Sequence, residues 1–212
     1  MNFALKRLSA YCEEHSSLPS SVLYELERET NLRTLAPQML SGKLQGQLFA
    51  MISKMIQPRL ILEIGTFTGY AAICLAQGLT ADGVLHTIEA NRELEYLIRK
   101  YIRKAELEDK IHLHIGKAQQ ILPGLGLSDI DLAFIDAGKM DYAFYYEWVM
   151  ERLRPGGFII ADNVLWSGKV TLPEHDKDTD IIHRFNEQVS RDERVETLML
   201  PMRDGLLLVR KK

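Results

Sequence analysis

Asp136, Asp162 and Asn163 are hard oxygen donors, and each stands where an apolar run stops. Leu132-Ala133-Phe134-Ile135 leads into Asp136, and Phe158-Ile159-Ile160-Ala161 leads into the Asp162-Asn163 pair. Both runs read as buried strands. Asp136 and Asp162 lie 26 residues apart. If their strands are neighbours, the strand ends are only ~5 Å apart, so three oxygens can meet one ion. Carboxylate and amide donors without Cys or His select a hard cation of the Mg²⁺ type. Three protein ligands leave roughly three of six octahedral positions open. Two adjacent open positions would suit the paired oxygens of a vicinal diol or catechol. Lys139 follows Asp136 by one helical step. A dication disfavours the ammonium form of a nearby amine and eases proton loss from a hydroxyl it holds, so Lys139 could serve as a base. The same residues also have a plainer reading, in which Asp136 caps a helix, Asp162-Asn163 forms a turn and Lys139 is a solvated loop cation.

A glycine loop lies upstream, in Glu63-Ile64-Gly65-Thr66-Phe67-Thr68-Gly69-Tyr70. Two glycines four apart let backbone approach a ligand closely. The loop is neither the G-x-G-x-x-G dinucleotide fingerprint nor a P-loop. A nucleoside without a pyrophosphate needs fewer backbone amides, and S-adenosylmethionine is such a ligand. Its sulfonium and ammonium are cationic, which suits Glu63. Glu89 stands 24 residues after Gly65, at the end of the next strand. There it could accept both ribose hydroxyls or act as a solvated helix-start acid.

These residues need a scaffold that brings strand ends together. To about Gln57 the chain reads as helical, with Leu44, Leu48, Met51, Ile52 and Met55 on one face of a helix closed by Pro58. Strands are then predicted at 59–64, 84–88, 111–115, 131–135 and 158–161. Helices are predicted at 70–77, 92–105, 142–153 and 178–190. Pro155-Gly156-Gly157 stops the third of these helices. The runs 195–200 and 206–209 flank a hairpin. The alternation implies a parallel sheet with helices on both faces and ligands at the carboxyl ends of the strands. No linker divides the chain, so 1–212 reads as one domain, with a helical region at 1–57 and the α/β core at 58–212.

A net charge of −3, with Arg210-Lys211-Lys212 as the only basic cluster, speaks against nucleic acid or an anionic membrane as partner. Lys6, Arg7, Glu13 and Glu14 interrupt the N-terminal apolar residues, so neither signal peptide nor membrane span is expected. Cys12 and Cys74 read as small buried hydrophobes in a reducing cytoplasm. The six histidines have no metal spacing; His112 and His114 alternate on a strand and none is assigned to catalysis. Tyr142, Tyr145, Tyr146 and Trp148 read as a core-packed aromatic face, and Trp166 either lines a slot for a planar substrate or packs.

Taken together, Glu63-Ile64-Gly65, Thr68-Gly69-Tyr70, Ile135-Asp136-Ala137 with Lys139, and Asp162-Asn163-Val164-Leu165-Trp166-Ser167-Gly168 resemble the cation-dependent O-methyltransferases, the caffeoyl-coenzyme A and catechol group, in a small bacterial-type form. The resemblance runs from about Met39 to Gly205. It implies a Rossmann-like S-adenosylmethionine-dependent methyltransferase fold. That fold has a mostly parallel seven-stranded sheet, the last strand antiparallel, and N-terminal helices over the active-site mouth. It implies cofactor contacts at Ser41, Glu63, Gly65, Thr66, Gly69, Tyr70, Glu89, Ala118 and Asp136, with Asp136, Asp162 and Asn163 as metal ligands. Lys139 with Asp136 would carry catalysis, and Trp166, Ser167 and Lys139 would face the substrate. Two positions depart from the plant members: Gly138 replaces an aspartate and Ala71 a hydroxyl residue, both at the cofactor. The resemblance further implies a homodimer and a vicinal dihydroxy-aromatic acceptor of catechol, caffeoyl or flavonoid type. An S-adenosylmethionine-binding module without turnover is the alternative reading, and a nicotinamide oxidoreductase is disfavoured by the missing fingerprint.

Overall fold

Ile130–Ile135 is buried at every position, which requires a strand covered on both faces. The computed structural model describes residues 3–212, with side chains from Arg7 onward. Helices α1 (Phe3–Glu14), α2 (Ser21–Arg33) and α3 (Gly42–Ile56) precede β1 (Leu60–Ile64). Then follow α4 (Tyr70–Ala76), β2 (Val84–Glu89), α5 (Glu95–Lys104), β3 (Ile111–Ile115), α6 (Ala118–Ile121) and β4 (Ile130–Ile135). The chain continues through α7 (Tyr142–Arg152), β5 (Leu153–Asp162), α8 (Lys177–Ser190), β6 (Val195–Leu200) and β7 (Leu206–Lys211).

The strands form one seven-stranded sheet in the order β3-β2-β1-β4-β5-β7-β6. The first five pair in parallel, and β7 runs against both of its neighbours. The order reverses between β1 and β4, the switch point at which such sheets bind ligands. One apolar layer lies under α7 and α8, with Tyr142, Tyr146 and Phe185 at its centre. The other lies under α2 to α5, around Phe49, Leu75 and Tyr101. At the opposite edge of the strands Asp131 gathers three of them. Its Oδ2 accepts from the amides of Arg59 and Leu60 at 2.8 and 2.9 Å, and its Oδ1 pairs with Arg154. Burial works to raise the Asp131 pKa, yet the Arg154 bond and the two amides prevail and hold it below the usual range.

Three expectations need correction. Pro155-Gly156-Gly157 does not follow a helix; it lies inside β5, which begins at Leu153. The β4–β5 register shifts between Ile130 and Leu132. Gly157 is pressed so close that an added Cβ would lie 3.0 Å from the Ile130 carbonyl. The glycines therefore make a bulge, not a stop. In α3 the buried face is Gln45, Gly46, Phe49, Ala50 and Ser53, while Met51 and Met55 of the predicted stripe are 55% and 83% exposed. Small residues win because they bring α3 against α4. An added Cβ at Gly46 would meet Tyr70 Cε1 at 2.6 Å, and Ser53 Oγ donates to the Leu75 carbonyl. Finally, Cys12 is exposed, whereas Cys74 is buried. Among the described residues, no helix is long and apolar enough to cross a membrane.

Candidate active site at the β1–β4 switch point

The ends of β1 and β4 meet at Gly65 and Asp136. The Asp136 amide donates to the Ile64 carbonyl at 2.8 Å, and Gly65 adopts φ +102°. A Cβ at Gly65 would lie 1.9 Å from the Asp136 carbonyl oxygen. Glycine is therefore demanded by the strand carrying Asp136, in addition to any ligand.

Lys139 sits in a 3₁₀ turn, Lys139–Asp141, just before α7. Its Nζ donates to Asp136 Oδ1 at 3.2 Å, to Asn163 Oδ1 at 2.7 Å and to the Tyr142 hydroxyl. With its side chain 15% exposed, Lys139 is not a solvated loop cation. Nor does Asp136 cap a helix: Asp141 precedes α7 and no side chain caps it. Two oxygens of the proposed metal set thus already converge on one cationic atom. The third member, Asp162, is 4% exposed. Its Oδ1 accepts from the Asn163 amide at 2.6 Å and its Oδ2 from Gln45 Nε2 at 2.6 Å. Burial, with Asp136 beside it, pushes the Asp162 carboxyl up to about 6. Among the described residues no three His, Cys, Asp or Glu side chains form a metal cluster; here one donor is an amide. The donors are all oxygen, which fits a hard cation.

The glycine loop borders a cleft lined by Ser41, Gly65, Phe67, Ala71 and Asp136. Glu63 is fully buried below it. Thr87 donates to its Oε2, and its Oε1 has no partner among the described residues. A buried orphan acceptor is costly unless a ligand donates to it. Glu89 is 8% exposed, so it is not a solvated acid. Its oxygens accept from the amides of Phe67 and Asn91, each at 2.7 Å, tying β2 to the loop. The Gly116 amide donates to the Glu89 carbonyl at 2.8 Å, which sets Ala118, the first residue of α6, near it.

Several predicted site residues also have a part in the fold itself. The Thr66 hydroxyl turns inward to Thr87, so Thr66 offers the cleft mainly its backbone. Tyr70 is 2% exposed, its ring held against α3. Gly69, at φ +92°, starts α4. Trp166 and Ser167 occupy a left-handed turn at φ 48° and 55°, with the Ser167 amide bound to Asp204. Trp166 packs on the core while partly open. Gly138 has φ −59°, and a Cβ there would find its nearest neighbour, Asp141 Oδ2, 3.9 Å away. Its backbone does not require glycine.

Sequence reasoning passed over Gln45, Tyr142 and Arg203. Tyr142, assigned to core packing, is buried and donates to the Asp162 carbonyl at 3.0 Å, bracing the end of β5. Arg203, in the β6–β7 hairpin, donates to the carbonyls of Gln38, Leu40 and Ser41. It pins the cleft wall. A lone Gln on a small-residue helix face was the one signal available for Gln45.

Crowded acids give a testable pH signature. Burial pushes Glu63 up to about 8, with Asp136 and Glu89 adding to it. A raised carboxyl contributes its stability in full below its unfolded value near 4.5 and loses it as pH rises through about 8. Glu63→Gln is therefore expected to flatten the loss of thermal stability between about pH 5 and 9. Calorimetry in EDTA would read this, and a slope unchanged from wild type would contradict it.

A reversed strand order, an acid-floored glycine loop and oxygen donors at the ends of β4 and β5 define an α/β enzyme of methyltransferase type. The O-methyltransferase family model matches residues 13–212, and the chain belongs to that family. It is 35% identical over 209 residues to catechol O-methyltransferase domain-containing protein 1 of Mus musculus, covering 96% of this chain and 78% of that one. It is 31% identical over 220 residues to caffeoyl-CoA O-methyltransferase of Stellaria longipes, covering 97% and 90%. Among solved structures, the O-methyltransferase TomG from Streptomyces achromogenes, in complex with SAM, is similar at TM-score 0.91 and 30% identity over 100% of both chains. The expected family, enzyme class and sheet are thereby borne out.

Proposed function

We propose that this chain is an S-adenosylmethionine- and divalent-cation-dependent O-methyltransferase acting on one hydroxyl of a vicinal dihydroxy-aromatic. One observation carries the reading: Asp136 and Asn163 oxygens converge on a single cation, the Lys139 ammonium, beside the glycine loop. When bound, S-adenosylmethionine supplies an electrophilic methyl group and the divalent ion eases proton loss from the acceptor hydroxyl. Glu63 Oε1, buried and unpartnered, would accept from a cationic ammonium. Glu89 keeps lone pairs for hydroxyls, although each oxygen already holds one amide. Ser41 borders the same cleft. Asp136, Asp162 and Asn163 would hold the ion. Lys139 would leave its oxygen partners and either, as a neutral amine, take the acceptor's proton or, as an ammonium, stabilise the oxyanion left by its loss. Trp166 and Ser167, in their strained turn, would form the substrate wall. Holding both reactants in one cleft supplies much of the acceleration by positioning.

The relatives' names support catechol or caffeoyl-type acceptors. A homodimer would cover apolar surface such as Met51 and Met55 of α3, and a reducing cytoplasm would suit the two free cysteines. Calorimetric titration tests the cofactor. S-adenosylhomocysteine is expected to bind with Kd on the order of micromolar, about −8 kcal/mol, and NAD not to bind. NAD binding alone would overturn the reading.

A further inference from the structure

Gln45 lies on α3, in the helical region preceding the sheet, yet its amide reaches the end of β5. Its Nε2 donates to Asp162 Oδ2 at 2.6 Å. The residue is 1% exposed, and its Oε1 finds no partner among the described residues. The orientation of the amide is fixed by chemistry: turned over, Oε1 would face a carboxylate oxygen at that distance. Asp162 is otherwise held by the neighbouring Asn163 amide on its other oxygen. The two donors together set the plane of the carboxylate, one from β5's own turn and one from a helix 117 residues away in sequence.

The helix is itself anchored. Gly46, next in sequence, is packed so tightly that an added Cβ would meet Tyr70 Cε1 at 2.6 Å and Cys74 Sγ at 2.9 Å. Arg203 grips the carbonyls just before the first turn of α3. Gln45 therefore reaches Asp162 from a rigid base. A polar side chain buried in this way costs free energy unless it is hydrogen-bonded, and a packing role alone would be met by an apolar residue of equal length.

We infer that Gln45 is a positioning residue for divalent-cation binding: its amide holds the Asp162 carboxylate toward Asp136 and Asn163, making α3 part of the metal centre. This rests on the proposed function above, because it presumes that these three residues bind an ion. Partners that orient metal ligands in this way are typically worth about 10–100-fold in affinity.

The test uses the full chain without cofactor or substrate, titrated with Mn²⁺ and followed by the electron paramagnetic resonance signal of the free ion. Gln45→Met keeps length and packing but removes the donor. It is expected to weaken the Mn²⁺ Kd about tenfold, with S-adenosylhomocysteine affinity within about twofold of wild type. A folded Gln45→Met protein that titrates like wild type would overturn the inference. Gln45→Asn, which keeps an amide but shortens its reach to Asp162 Oδ2, covers the case in which the methionine variant does not fold. Added Mn²⁺ should raise its Tm by less than it raises that of wild type, and an equal or larger rise would overturn the inference. A wild-type protein that leaves the Mn²⁺ signal free would overturn the metal reading itself, and this inference with it.

Discussion

Asp136→Asn is expected to cut kcat/KM for a catechol by about 10³-fold, roughly 4 kcal/mol, while leaving the ligand-free fold as stable as wild type or more so at pH 8. The two effects share one cause. Asp136 stands between the cofactor cleft and the oxygen cluster, 3.2 Å from Lys139 Nζ. Its charge also crowds its neighbours. After burial it helps push Glu63 up to about 8 and Asp162 up to about 6. Carboxyls raised in this way destabilise the fold as pH climbs through those values, because the unfolded chain ionises first. Asparagine keeps the shape and removes the charge. Loss of the Lys139–Asp136 pair works the other way, but Lys139 Nζ keeps the Asn163 Oδ1 and the Tyr142 hydroxyl as partners, and the asparagine still offers an amide oxygen, so the ammonium is not left unpartnered. The stability gain should shrink toward about pH 5, where Glu63 and Asp162 hold their protons in wild type as well. Calorimetric Tm at both pH values, with steady-state kinetics, reads the pattern. A variant that is inactive because it is less stable at pH 8 would contradict the account.

Gly65→Ala is expected to cost about 3 kcal/mol of stability or more, and most of the activity with it. Two separate penalties add. At φ +102° an L side chain pays about 1–2 kcal/mol. The new methyl would also lie 1.9 Å from the Asp136 carbonyl oxygen, and forcing strand ends apart costs about 1–3 kcal/mol more. Spreading β1 from β4 displaces Asp136 relative to Asp162, so chemistry fails along with packing. Urea unfolding checks the first part; a midpoint equal to that of wild type would contradict it. Gly138, by contrast, meets neither condition.

The fold was legible where burial was simple. Leu132 to Ile135 and Phe158 to Ala161 announce central strands because nothing polar interrupts them, and parallel neighbours end on the same side. That rule alone brings Asp136 to Asp162 and Asn163. It fails where small residues decide packing. In α3 the apolar stripe of Met51 and Met55 faces outward because Gly46, Ala50 and Ser53 allow a closer helix contact than any large side chain would. Gly156 and Gly157 read as a stop, since glycine weakens helix and strand signals alike. The roles of Gln45, Tyr142 and Arg203 depend on contacts 117, 20 and 162 residues distant, which no local pattern encodes. That the Thr66 hydroxyl turns inward to Thr87, which in turn donates to Glu63, is likewise a contact between separate segments that the local sequence does not show.

The most direct test of the central claim is methyl transfer from S-adenosylmethionine to a catechol or caffeoyl ester by wild-type protein, in EDTA and then with excess Mg²⁺. Turnover should vanish in EDTA and return with Mg²⁺, while S-adenosylhomocysteine binding persists throughout. Undiminished turnover in EDTA would contradict the assignment of Asp136, Asp162 and Asn163 to an essential cation.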